Sequence, residues 1–187
     1  KTRVGWWKNG YPEYFAKVLN APYWNGIDVE INGEQLDLAV CKVSDFVRTL
    51  NMREGYLERS FVATMPNGDQ VKVNARRFIS MANKEVAAIC YAVTPLNFDG
   101  DIVFTSYIDG DVKNQDANYD EKFWDIIQTD SQKGEAYLQS VTKKTAFQVG
   151  VGIKYAITVD GKDYPTSDDD TLVQERYAGN RVAVAAE

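Results

Sequence analysis

The 187-residue chain is predicted to be all-β: a single domain over residues 1–187, built as a large two-sheet antiparallel β-sandwich with at most one or two short helical turns. Three features carry that expectation. Short runs alternate apolar and polar residues with a period of two, tight-turn dipeptides separate them, and only one segment has helical spacing. A strand with one apolar and one polar face needs a second layer over the apolar side, and two sheets supply it.

The first element is KTRVGWWKNGYPEYF, residues 1–15. Neither period fits it, and Gly5, Gly10 and Pro12 break it as a loop, so its rings belong to no amphipathic face. In GIDVEINGEQLDL, Ile27, Val29 and Ile31 fall on one face, and Leu36 and Leu38 follow Asn32-Gly33. Both turn residues tolerate the positive φ of a type I′ hairpin. Phe61, Ala63 and Met65 lead in the same way into Asn67-Gly68, and Val71 and Val73 return. EVAAICYAV and GDIVFTSYIDG are further strands, joined by TPLNFDG with turn signals at Pro95 and Asp99-Gly100. YDEKFWDIIQTD is the helical candidate, with Phe123, Trp124 and Ile127 at helical spacing and Asp120 as its cap. Finally, GVGIKYAITVDGKDY alternates Val151, Ile153, Tyr155, Ile157 and Val159 before Asp160-Gly161.

Composition narrows the function. A net charge of −6 argues against nucleic acid, whose phosphates need a basic surface. No apolar run approaches the roughly 18 residues of a membrane helix, and the first residues do not read as a signal peptide. Because the chain starts at a lysine, it reads as a piece of a longer protein. Cys41 and Cys90 are the only cysteines, and both sit in apolar strand-like runs that suit buried free thiols.

Histidine is absent. That removes the commonest general base, the Ser-His-Asp and Cys-His triads, and most zinc sites. Paired carboxylates remain to be tested. Asp109, Asp111, Asp116, Asp120 and Glu121 lie close in sequence, but no midway glycine or closing bidentate glutamate makes a calcium loop, and the stretch reads as a solvated connection. Asp168, Asp169 and Asp170 read as an exposed loop tip, and Arg53, Glu54, Glu58 and Arg59 as strand ion pairs. VGVG at residues 149–152 lacks the lysine and helix of a phosphate loop. No catalytic residue, metal set or cofactor is assigned.

Three segments nevertheless carry a family resemblance: LNMREGYLERSF (50–61), ARRFISMANKEVAAICYAVTPLNFDGDI (75–102) and SYIDGDVKNQDANYDEKFW (106–124). Together they resemble the N-terminal domain of glycoside hydrolase family 65, and KTRVGWWKNGYPEYFAKVLNAPYW resembles its maltose phosphorylase branch. The resemblance implies a non-catalytic β-sandwich whose partner is an (α/α)6 barrel of the same polypeptide. That barrel would hold the catalytic glutamate and the phosphate site, acting on an α-glucoside and phosphate without metal or organic cofactor. It also implies a homodimer and a cytoplasmic enzyme.

Within that frame Trp6, Trp7, Lys8, Tyr11 and Glu13 are candidates either for packing against the barrel or for the rim of the sugar site. Aromatic faces suit both interface cores and the C–H face of a pyranose. A stand-alone carbohydrate-binding sandwich is the alternative. It would keep an aromatic platform on a stable surface of its own, whereas a phosphorylase domain would expose an apolar patch meant for its barrel.

Overall fold

The computed structural model describes residues 2–5, 14–114 and 121–186, with side chains described outside residues 2–5 and 14–17. The chain is all-β, as predicted, and its strands are arranged in antiparallel sheets of a sandwich type. The first four strands are β1 (Thr2–Gly5), β2 (Tyr14–Lys17), β3 (Tyr23–Ile31) and β4 (Glu34–Gln35). Four long strands follow: β5 (Lys42–Asn51), β6 (Tyr56–Thr64), β7 (Gln70–Ile79) and β8 (Ala87–Pro95). Next come β9 (Gly100–Asp109), β10 (Trp124–Gln132), β11 (Glu135–Thr142) and β12 (Gln148–Lys154). The chain closes with β13 (Ile157–Val159), β14 (Lys162–Tyr164), β15 (Thr171–Gln174) and β16 (Tyr177–Ala186).

Two compact units result, one from Lys1–Ile27 and Thr105–Val182, the other from Asp28–Phe104 and Ala183–Glu187. In the first unit, β10, β11 and β12 form a three-stranded sheet. Its inward side chains meet a core of Ile108, Ala136, Leu138 and Ala178, with Ile126, Val151 and Ile153 packed against it. Asn180 is buried in the same unit, donating from Nδ2 to Ser131 Oγ and to the Glu135 carbonyl, each at 3.0 Å. In the second unit, β5-β6-β7-β8 form a meander in chain order. Phe61, Ala63, Met65, Val71 and Val73 are buried there, and the Cys41 and Met65 sulfurs lie 3.4 Å apart. A further sheet runs β15-β16-β9-β3-β4.

The turn chemistry holds in two of three hairpins. Asn32 and Gly33 (φ 48° and 83°) join β3 to β4, and Asp160 and Gly161 (φ 50° and 76°) join β13 to β14, both with the paired positive φ of type I′. At Asn67-Gly68 only the glycine is left-handed, at φ 98°. Hydrogen bonds from Gly68 N to Met65 O and from Met65 N to Asp69 O make this a longer loop that ends on the glycine. Leu36 and Leu38 lie past the two-residue β4, and Leu38 is exposed.

Other readings are corrected. The helical candidate is strand β10, because its backbone pairs with β11 from Trp124↔Thr142 to Gln132↔Glu135. A bulge between Ile126 and Gln128 adds one residue, and that shift of period produced the helix-like spacing of apolar side chains. Asp120, its supposed cap, lies outside the described residues. The only helical turn among the described residues is the 3-10 turn Asp168–Asp170, where Ser167 and Asp170 form a reciprocal capping box. Both cysteines are free, but only Cys41 is buried; Cys90 is exposed on β8. The ends of the opening segment are not loop: Thr2↔Lys17 through Gly5↔Tyr14 pair as antiparallel strands.

Candidate docking face

Alternation along β7 puts Val71, Val73, Ala75, Arg77 and Ile79 on one side of the meander. Val71 and Val73 are fully buried, yet Ile79 is 66% exposed. The register carries this face across all four strands. Arg48, Arg59, Ala75 and Tyr91 form one rung, and Leu50, Leu57, Arg77 and Ile89 the next. Leu50 is 64% exposed, and Leu57 and Ile89 are half-buried. The core-facing side of the sheet therefore continues past its buried end as an uncovered terrace of aliphatic and guanidinium groups.

Its edge extends the same character. Phe46 stacks on Phe61 with centroids 6.0 Å apart and is half exposed, where a bulge between Ser44 and Val47 breaks the β5 ladder. The Arg59 guanidinium lies 5.8 Å over the Phe61 ring. Burial raises the pKa of the Tyr91 phenol, and the nearby Arg59 guanidinium opposes the rise. Among the described residues, Arg48, Arg59 and Arg77 form no ion pair.

The opposite side of the sheet carries one paired set of charges. Glu58 faces Arg76 across the ladder and binds it at 3.0 Å, and Arg76 stacks 4.4 Å over Tyr56. The core-facing side thus carries three cations that form no ion pair among the described residues, beside the exposed aliphatics Leu50 and Ile79. Burying Leu50 and Ile79 would each contribute about 1.5–3 kcal/mol.

The candidate residues Trp6, Trp7, Lys8, Tyr11 and Glu13 lie outside the described residues. Of the acidic candidates, Asp111 pairs with Lys122 and lies 3.8 Å from Arg176. These cations hold its carboxyl below the usual range, Lys122 contributing most. Asp116 and Asp120 lie outside the described residues. Among the described residues no group of three or more potential ligands gathers for a metal. The terrace itself was missed in sequence, because Arg77 interrupts the apolar alternation of β7 between Ala75 and Ile79.

Comparison with known proteins decides the family, because the model of the glycosyl hydrolase family 65 N-terminal domain matches residues 1–187. The chain belongs to that family. This family 65 domain is 48% identical over 124 residues to the maltose phosphorylase of Bacillus subtilis, covering 66% of the domain and 16% of the relative. It is 29% identical over 167 residues to the α,α-trehalose phosphorylase of Thermoanaerobacter brockii, covering 81% and 22%. A kojibiose phosphorylase of Caldanaerobacter subterraneus matches at 30% over 139 residues, covering 73% and 18%. A solved structure assigned as a kojibiose phosphorylase from the human microbiome superposes over 90% of the domain and 21% of that chain, with a TM-score of 0.76 at 18% identity. The matched regions thus span between 16% and 22% of these relatives' own length.

Proposed function

We propose that this family 65 domain is the non-catalytic N-terminal part of an inverting phosphorylase that converts maltose and phosphate to β-glucose 1-phosphate and glucose. The single observation that supports a domain built to meet another is the terrace around Leu50, Arg77 and Ile79, where aliphatic side chains stay exposed on the core-facing side of the sheet. Maltose is favoured among the α-glucosides by the 48% identity to a maltose phosphorylase, against 29% and 30% for the trehalose and kojibiose enzymes. The terrace meets the catalytic barrel of the same polypeptide, and the domain supports that barrel in a cytoplasmic homodimer. Trp6 and Trp7 add packing contacts at the barrel and do not hold sugar.

Glucose 1-phosphate assays test the reading. The full-length polypeptide should release it from maltose and phosphate, and the 187-residue chain should release none. Trp7→Ala in the full-length enzyme should lower the melting temperature and leave the Michaelis constant for maltose near wild type. A many-fold higher constant with an unchanged melting temperature would place Trp7 on the sugar instead.

A further inference from the structure

Two glycines occupy outward positions of β12. The strand reads QVGVGIK, with Val149, Val151 and Ile153 turned inward, the last two against the core cluster. Its outward positions are Gln148, Gly150, Gly152 and Lys154. Glycine inside a strand weakens it and marks a place where another group must come close. Here that group is Tyr137 of β11, directly opposite Gly152.

A Cβ at Gly150 would lie 3.0 Å from the Tyr137 hydroxyl and 3.4 Å from its Cε2. At Gly152 it would lie 4.0 Å from Cδ2. The ring therefore extends across both glycines, held against the β12 backbone, and remains 37% exposed. Next to it, Gln139 Nε2 donates to Gln148 Oε1 at 3.0 Å. That bond leaves the Gln139 carbonyl oxygen and the Gln148 amide nitrogen without protein partners among the described residues. Gln128 stands opposite Gln139, and Asp130 opposite Tyr137.

Lys154 on this face pairs with Glu135 at 2.6 Å, and Asp130 accepts from the Ser131 backbone at 2.9 Å without an ion pair among the described residues. The face offers a ring and amide edges, with no unpaired cation among the described residues to hold an anion. A neutral polyhydroxylated ring with an apolar C–H face fits that chemistry.

We propose that the outward face of β10-β11-β12 is a binding platform for a gluco-oligosaccharide, with Tyr137 as the stacking ring and the Gln139–Gln148 pair as its hydrogen-bonding edge. The platform rests on the geometry above, and only the choice of a glucose-based ligand rests on the proposed function. It is a binding site without chemistry.

Maltotriose titrated into the 187-residue chain should give saturable binding in the millimolar range, by calorimetry and by amide NMR shifts confined to residues 128–154. Tyr137→Ala should weaken it roughly fivefold to tenfold, the loss of one stacked ring, and Tyr137→Phe should retain it. Because Tyr137→Ala also uncovers the glycines, the double variant Gln139→Ala, Gln148→Ala serves as a second probe and should weaken binding with the circular dichroism unchanged. Absence of saturable shifts in the wild type overturns the platform whatever the activity of the full-length enzyme. Undiminished affinity in the folded double variant overturns it too. Saturable, Tyr137-dependent binding alongside a full-length polypeptide inert toward maltose would support the platform and count against the proposed function.

Discussion

The Tyr107 ring fills the space that a side chain at Gly26 would need. A Cβ built on Gly26 lies within 2.7 Å of Tyr107 Cε1, so any larger residue on β3 must displace the ring. Tyr107 also stacks on Tyr177 at 5.0 Å and tilts against Tyr23 at 6.1 Å, and a Cβ at Gly179 would lie 2.8 Å from its Cβ. Two glycines thus make the seat for one ring in the middle of a tyrosine row.

Gly26→Val should therefore destabilise by overpacking. The expected loss is about 1–3 kcal/mol, or roughly 2–4 °C in Tm for each kcal/mol in a chain of this size. Tyr107→Ala in the Gly26→Val background should recover part of that loss, because the two side chains compete for one volume. Thermal unfolding of the two single variants and the double variant measures the coupling; strict additivity would rule out the shared seat.

The docking face makes a prediction of the opposite kind. Leu50→Ser with Ile79→Ser should change the unfolding free energy of the 187-residue chain by no more than about 0.5 kcal/mol, since both side chains already face water. In the full-length polypeptide the same pair should lower Tm by several degrees, because there it removes buried contacts. Denaturant titration of the chain and thermal melts of the longer protein test both halves. Equal effects in the two settings would remove the docking assignment.

Alkaline pH reports on Tyr155. Its hydroxyl is buried without a hydrogen-bond partner among the described residues, and burial, aided by the negative charge of Asp170, pushes the phenol up to about 12. The folded chain thus holds this proton more tightly than the unfolded chain, whose value is 10.0. The stability that the neutral phenol contributes is complete below pH 10 and is lost as the pH rises through about 12. Tyr155→Phe should flatten the loss of stability over that window. At pH 7 it should leave Tm unchanged or raised, since no hydrogen bond is given up.

Much of the architecture was legible because it follows from local rules. Asn32-Gly33 and Asp160-Gly161 announce type I′ hairpins through backbone sterics alone, and Phe61, Ala63, Val71 and Val73 announce a buried face through period-two alternation. The absence of histidine likewise bounds the chemistry without any coordinates. By contrast, the β10 segment was misread because one bulged residue between Ile126 and Gln128 shifts its apolar period, and only pairing with β11 settles its conformation. Asn67-Gly68 looked like its two sister turns, but a bond from Met65 N to Asp69 O and one from Gly68 N to Met65 O draw it into a longer loop.

The sequence by itself determined the strand content, two of the three tight turns and the buried end of the meander, since each depends on neighbours a few residues apart. Tertiary structure alone decided that the same alternating face of β7 is covered at Val73 and bare at Ile79, and that Tyr137 rests on Gly150 and Gly152. Coverage and close approach depend on which distant strands stop short and which cross over, and no local period of hydrophobicity encodes where a covering layer ends.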